Sequence, residues 1–92
     1  MKEIKMFYIN GCPYCANAKK AIEALKEENP AYREIPLAMI NENEHPEISQ
    51  NYDYYYVPTM ILGEKKVYEA HPGESYAECL GHVKAVFDAA LE

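Results

Sequence analysis

The first apolar block runs from Ile4 to Ile9, short, β-branched and aromatic-rich, and stops at Asn10-Gly11, a pattern that predicts a buried strand. Pro13 then suits a first helical position, where its missing N–H would be unpaired in any case. Beyond it Ala18, Ile22 and Leu25 recur at helical spacing, with Lys19, Lys20, Glu23 and Lys26 on the other side, until Asn29-Pro30 closes the helix. Ile35, Leu37 and Met39 alternate within a second predicted strand from Tyr32 to Ile40; Pro36 points to an edge position because it cannot donate a ladder hydrogen bond. From Glu44 to Tyr52, Pro46 stands early and Ile48 and Tyr52 lie four apart, which predicts a helix of about two turns. Thr59 to Leu62 and Lys65 to Glu69 flank Gly63-Glu64 and read as a hairpin. Finally Ser75 opens a capping box with Glu78, and Tyr76, Leu80, Val83, Phe87 and Ala90 hold an apolar stripe to the end of the chain.

The predicted order is βαβαββα. A strand, a helix and a strand at the front favour a right-handed parallel crossover, and the later hairpin adds two antiparallel strands to the same sheet. The expected architecture is α/β: a four-stranded mixed sheet with helices on both faces. Ninety-two residues suit one domain, taken here as 1–92. An apolar share of 49% against 26% charged is enough to collapse around a core. The formal charge of -6 with no basic cluster argues against nucleic acid or an anionic lipid surface as a partner. Apolar stretches such as Met60-Ile61-Leu62 are far too short to span a bilayer, and Met1 to Lys5 lacks a signal-peptide apolar core, so a cytoplasmic protein is expected; a monomer is expected as well.

Three cysteines, two of them in one Cys-x-x-Cys, fit a redox or metal site better than a secreted disulfide framework. Cys12-Pro13-Tyr14-Cys15 falls where the first strand meets the first helix, so Cys12 stands at a helix N-terminus, whose unpaired N–H groups and dipole favour an anion. Cys12 is the expected nucleophile. Cys15, in the first helical turn, is close enough for a disulfide yet points back under the turn, and is the expected resolving thiol. Pro13 limits movement of the turn. Lys19, one helical turn beyond Cys15, adds a small favourable charge. A zinc site would need two more ligands, and Cys79, His45, His71 and His82 form no second close pair, so no metal is expected. Cys79 lies beside the last apolar stripe and is assigned to core packing over regulation. The dense run Tyr52, Tyr54, Tyr55 and Tyr56 is read as packing, with any exposed member near the active turn available for docking.

Gly11-Cys12-Pro13-Tyr14-Cys15 followed by Ala18-Lys19, then Val57-Pro58, then a Gly-containing turn before the last helix, resembles the glutaredoxins over essentially the whole chain. The resemblance implies a thioredoxin fold, a cis peptide at Val57-Pro58 facing the Cys-Pro-Tyr-Cys turn, and thiol–disulfide exchange with glutathione as co-substrate and no tightly bound cofactor. It also implies a glutathione or substrate groove lined by Tyr14, Val57, Pro58, Gly73, Glu74 and Ser75. Three positions depart from the family pattern. Ile9 stands where glutaredoxins carry a cation, Tyr56 replaces the Thr of Thr-Val-Pro, and Pro72-Gly73-Glu74-Ser75 replaces Gly-Gly-x-Asp, so that Ser75 brings a hydroxyl in place of a charge.

The expected activity is reduction of protein or glutathione mixed disulfides through the Cys12/Cys15 dithiol. Two alternatives follow from the departures and the motif: a thioredoxin-like redoxin recharged by a flavoprotein reductase, and an iron–sulfur-binding redoxin module using Cys12 and external glutathione. The expected partners are accordingly disulfide-bearing proteins, glutathione or such a reductase.

Overall fold

Both faces of the first strand are covered by other parts of the chain, which is why Ile4, Met6 and Phe7 are all buried, with only Lys5 breaking the apolar run and pairing with Glu3 at the margin. In the computed structural model, which describes residues 1–92, β1 (Ile4–Tyr8) is one of the two central strands of a four-stranded sheet. It pairs in parallel with β2 (Leu37–Asn41) and antiparallel with β3 (Thr59–Leu62), and β4 (Lys65–Glu69) closes the order β2-β1-β3-β4. Alternate residues serve opposite faces. Ile4, Met6, Met60 and Leu62 join the main core with α1 (Pro13–Glu28) and α3 (Tyr76–Leu91). Phe7, Ile40 and Ile61 form a smaller core beneath Ile48 of the short α2 (Pro46–Ser49) and beneath Tyr52, Tyr54 and Val57. Phe7 stacks on Tyr54 at 5.3 Å between ring centroids. The sheet is therefore mixed, with helices on both faces, as the sequence predicts.

Three local expectations are corrected. Tyr32 to Glu34 belongs to a 3-10 turn, Pro30–Glu34, and not to the second strand, which begins at Leu37. The Asn29 side chain accepts from the Ala31 N–H at 3.0 Å and Pro30 takes the first position, so a local cap outweighs the alternation. Tyr32 is thereby buried against Phe87, with its hydroxyl on Asp88. The segment from Glu44 to Tyr52 contains one helical turn, started by Pro46, where about two were expected. On α3 the buried stripe is Cys79, Val83, Val86, Phe87 and Ala90, while Tyr76 and Leu80 are only half-buried at its margin. The capping box forms as expected: Ser75 Oγ accepts from Glu78 N at 3.1 Å and Glu78 Oε1 accepts from Ser75 N at 3.0 Å. Pro36 precedes the edge strand, and its carbonyl accepts from Ile4 N.

The hairpin closes with two residues, Gly63-Glu64, between paired Leu62 and Lys65. The register then slips, so that Met60 faces Tyr68 but Ile61 faces Lys66 and Val67 is left over. That bulge leaves Val67 exposed and turns Tyr68 into the core.

Candidate active site

β1 ends at Tyr8, and the chain reverses through Gly11, whose φ of 77° lies in the region a side chain rarely adopts. Cys12 follows in extended backbone (φ -96°, ψ 118°) as the N-cap of α1, with Pro13 in the first turn. Its Sγ accepts from Cys15 N at 3.4 Å, the place a Ser or Asp oxygen takes in an ordinary cap. Cys12 is half-exposed and Cys15 is 1% exposed; both thiols are free. Burial, reinforced by the neighbouring Cys12 thiol and opposed by the backbone at Ile9 and by Lys19, pushes the Cys15 thiol up to about 12. The two sulfurs are therefore unequal: one is presented to solvent by the helix start, and the other is held protonated behind it.

Across the sheet end, the Val57–Pro58 peptide is cis, as the resemblance implies, and the Val57 carbonyl oxygen lies 3.9 Å from Cys12 Sγ. Thr59 Oγ1 donates to the Tyr56 carbonyl at 2.6 Å, and the Pro58 carbonyl accepts from Ala70 N at 3.0 Å. Glu69, at the end of β4, accepts from the backbone N–H groups of both Tyr55 and Tyr56, at 2.7 and 2.8 Å, while its other oxygen pairs with Lys66 at 2.8 Å. Burial works against this carboxylate, but Lys66 and the two N–H groups outweigh it and hold Glu69 below the ordinary carboxylate range. Sequence reasoning missed Glu69. Its signal is the hairpin register, which sets Glu69 opposite Thr59 and hence beside the loop that carries Val57 and Pro58. The tyrosine run divides accordingly: Tyr52 and Tyr54 pack on Phe7, whereas Tyr55 is 93% exposed and Tyr56 is half-exposed beside Val57.

Tyr14 is tied to the loop before α3, its hydroxyl accepting from Gly73 N at 2.7 Å, with Gly73 at φ 85°. Cys12, Cys15, Tyr14, Val57, Pro58 and Gly73 thus form one connected unit. The structure turns the two remaining groove candidates elsewhere. Ser75 Oγ is occupied by the helix cap. Glu74 is 5% exposed, and both of its oxygens accept from the Tyr68 hydroxyl, at 2.7 and 2.9 Å. That hydroxyl also lies 3.5 Å from Cys79 Sγ, so the Glu74 carboxylate faces Tyr68 and Cys79 under α3. Cys79 is 2% exposed and sits in the main core, where burial raises its thiol above the ordinary range. No three His, Cys, Asp or Glu side chains come together as a metal-binding group.

A surface cavity of about 350 Å³ opens beside Cys12 and Cys15, walled by Ile9, Gly11, Ala16 and Lys19. Lys19, which the sequence places one turn past Cys15, has its Nζ 4.1 Å from the centre of the Tyr8 ring.

Residues 9–72 match the family model for the glutathione S-transferase N-terminal domain. Among solved structures, a malarial protein is similar with a TM-score of 0.63 at 14% identity, covering 92% of this chain and 96% of that one. Thioredoxin 1 from the thermophilic eubacterium Thermosipho africanus gives 0.60 at 17% identity, covering 98% and 99%. The zinc-bound form of human ERp44 gives 0.52 at 21% identity, covering 98% of this chain and 25% of that one. No curated protein matches. Together with the strand order, these likenesses establish a thioredoxin-like α/β fold.

Proposed function

Because the chain belongs to the glutathione S-transferase N-terminal domain family, with a thioredoxin-like fold, we propose that it is a thiol–disulfide oxidoreductase working through Cys12 and Cys15. The observation that carries this reading is the unequal pair at one helix start: a half-exposed cap cysteine with a buried cysteine three residues on, donating its N–H to the first sulfur. Cys12 as thiolate attacks a substrate disulfide, forming a mixed disulfide and releasing one thiol. The thiolate leaving in that step takes up the Cys15 proton, and Cys15 then attacks the Cys12 sulfur of the mixed disulfide, displacing the second substrate sulfur as thiolate and leaving a Cys12–Cys15 disulfide. The substrate disulfide is reduced by two electrons and the dithiol is oxidised by two. Tyr14 fixes the turn against the Gly73 loop, and Val57 and Pro58 form the opposite wall.

Glutathione is the proposed reductant, in line with the Cys-Pro-Tyr-Cys turn. One specific observation favours a second reading, in which a flavoprotein reductase recharges the disulfide. Ile9 supplies no charge, and the Glu74 carboxylate is taken up by Tyr68, so neither reaches a glutathione molecule as an ionic partner. NADPH consumption with a small mixed disulfide separates the two, run with glutathione plus glutathione reductase and, in parallel, with thioredoxin reductase alone. Turnover in the first arm is expected. Turnover only in the second assigns the reductase, and turnover in neither refutes the oxidoreductase reading.

A further inference from the structure

The loop between β4 and α3 is fastened at three points. Ala70 N donates to the Pro58 carbonyl at 3.0 Å, Ser75 caps α3, and between them the Glu74 side chain turns inward to the Tyr68 hydroxyl. Tyr68 has a single proton to donate, and the two carboxylate oxygens lie 2.7 and 2.9 Å from it. Cys79 closes the far side, its Sγ 3.5 Å from the same hydroxyl. A buried carboxylate that left this donor would be an unpaired charge, so Glu74 has one favourable place to sit. Gly73 directly precedes it. With the Glu74 side chain held inward and Gly73 at φ 85°, the Gly73 N–H is aimed at the active turn, where the Tyr14 hydroxyl accepts it at 2.7 Å across 59 residues of sequence. Tyr14 stands between Cys12 and Cys15 in the first turn of α1. The buried Tyr68–Glu74 pair and the dithiol are thus joined by consecutive links, although neither Tyr68 nor Glu74 touches a reacting sulfur.

We propose that Tyr68 and Glu74 are positioning residues for the second step of the exchange, acting through Gly73 and Tyr14 to hold the Cys12 sulfur of the mixed disulfide over Cys15. This rests on the oxidoreductase reading above and adds the residues outside the site that set its second step. The first attack is made by a half-exposed sulfur on a diffusing disulfide and tolerates a looser turn. The second joins two sulfurs of one chain, one of them buried, and its rate follows their mutual orientation.

The test uses the reduced protein and excess 5,5′-dithiobis(2-nitrobenzoate), which releases one coloured thiolate at each step. In the first, the Cys12 thiolate breaks the reagent's S–S bond, forms a mixed disulfide and sets free one nitrothiobenzoate, at a rate that rises with reagent concentration. In the second, Cys15 gives its proton to the buffer, nitrothiobenzoate being too weak a base to take it, and attacks the Cys12 sulfur; the second nitrothiobenzoate leaves, at a rate independent of reagent. The ratio of the second rate constant to the first is expected to fall about tenfold in Tyr68→Phe, the effect of losing about one hydrogen bond's worth of orientation. Tyr14→Phe is expected to lower it equally and the double variant no further, because the two act in series. Tyr32→Phe takes another buried tyrosine hydroxyl from a carboxylate, that of Asp88 in the last turn of α3, and is expected to leave the ratio unchanged. The variants are compared where circular dichroism shows each of them folded. An unchanged ratio in Tyr68→Phe, additive losses in the double variant, or an equal fall in Tyr32→Phe overturns the positioning role. A ratio that depends on Tyr68, with no turnover in either NADPH arm, would refute the oxidoreductase and keep the positioning role. Turnover with an unchanged ratio would do the reverse.

Discussion

Tyr68→Phe removes one hydroxyl and keeps the ring, so it isolates the only hydrogen-bond donor that reaches the Glu74 carboxylate. Both residues are nearly closed to solvent, at 6% and 5% exposure. Packing is preserved, since the ring still lies against Met60 across the hairpin and stacks on His82 at 5.2 Å. The loss is therefore a hydrogen bond to a charged group, about 1.5–3 kcal/mol, with the desolvated carboxylate left behind. We expect Tyr68→Phe to destabilise by about 2–3 kcal/mol at neutral pH, a fall of roughly 10–20 °C in Tm for a domain of this size. Urea unfolding followed by circular dichroism measures it. Glu74→Gln and the double variant complete a cycle, with an expected coupling of at least about 1 kcal/mol between the two side chains. A Tyr68→Phe protein within about 0.5 kcal/mol of wild type, or strict additivity in the cycle, would refute a buried carboxylate held by this one donor.

Glu69→Ala should slow exchange several-fold while leaving the fold intact, because it frees the backbone of Tyr55 and Tyr56 next to Val57; stopped-flow rates on the reduced protein check this. Ser75→Ala should lower Tm by about 4–8 °C through loss of the N-cap, measured by thermal denaturation. Cys15 makes the reduced protein alkali-sensitive. Its folded value of about 12 lies above the unfolded one of 9.0, so the stability it contributes is complete below pH 9 and is lost as pH rises from 9 towards 12. Unfolding free energy against pH should therefore decline more steeply for reduced wild type than for Cys15→Ser across that window.

The dithiol was legible because two local signals coincide in sequence: a strand that stops at Asn10-Gly11, and Pro13 at the first helical position between Cys12 and Cys15. The capping box at Ser75 and Glu78 was legible for the same reason, since both partners lie within one turn. What sequence hid is non-local. The inward turn of Glu74 depends on Tyr68, which reaches it only because the hairpin register slips by one residue at Val67. Glu69 reads as one more surface charge until the hairpin brings it to the loop before Pro58. Tyr32 to Glu34 follows a strand-like alternation, yet the Asn29 cap and the contact of Tyr32 with Asp88, 56 residues away, favour the 3-10 turn. Lys19 was visible as a charge one turn past Cys15, whereas the cavity it borders required the fold.

The division of labour between Cys12 and Cys15 is tested most directly by the intact mass of two variants after reaction with a small disulfide. Cys15→Ser should accumulate one stable mixed disulfide, located at Cys12 by peptide mapping, because the displacing thiol is gone. Cys12→Ser should remain unmodified on the same timescale, its remaining thiols being buried. Rapid modification of Cys12→Ser, or no adduct on Cys15→Ser, would contradict the account.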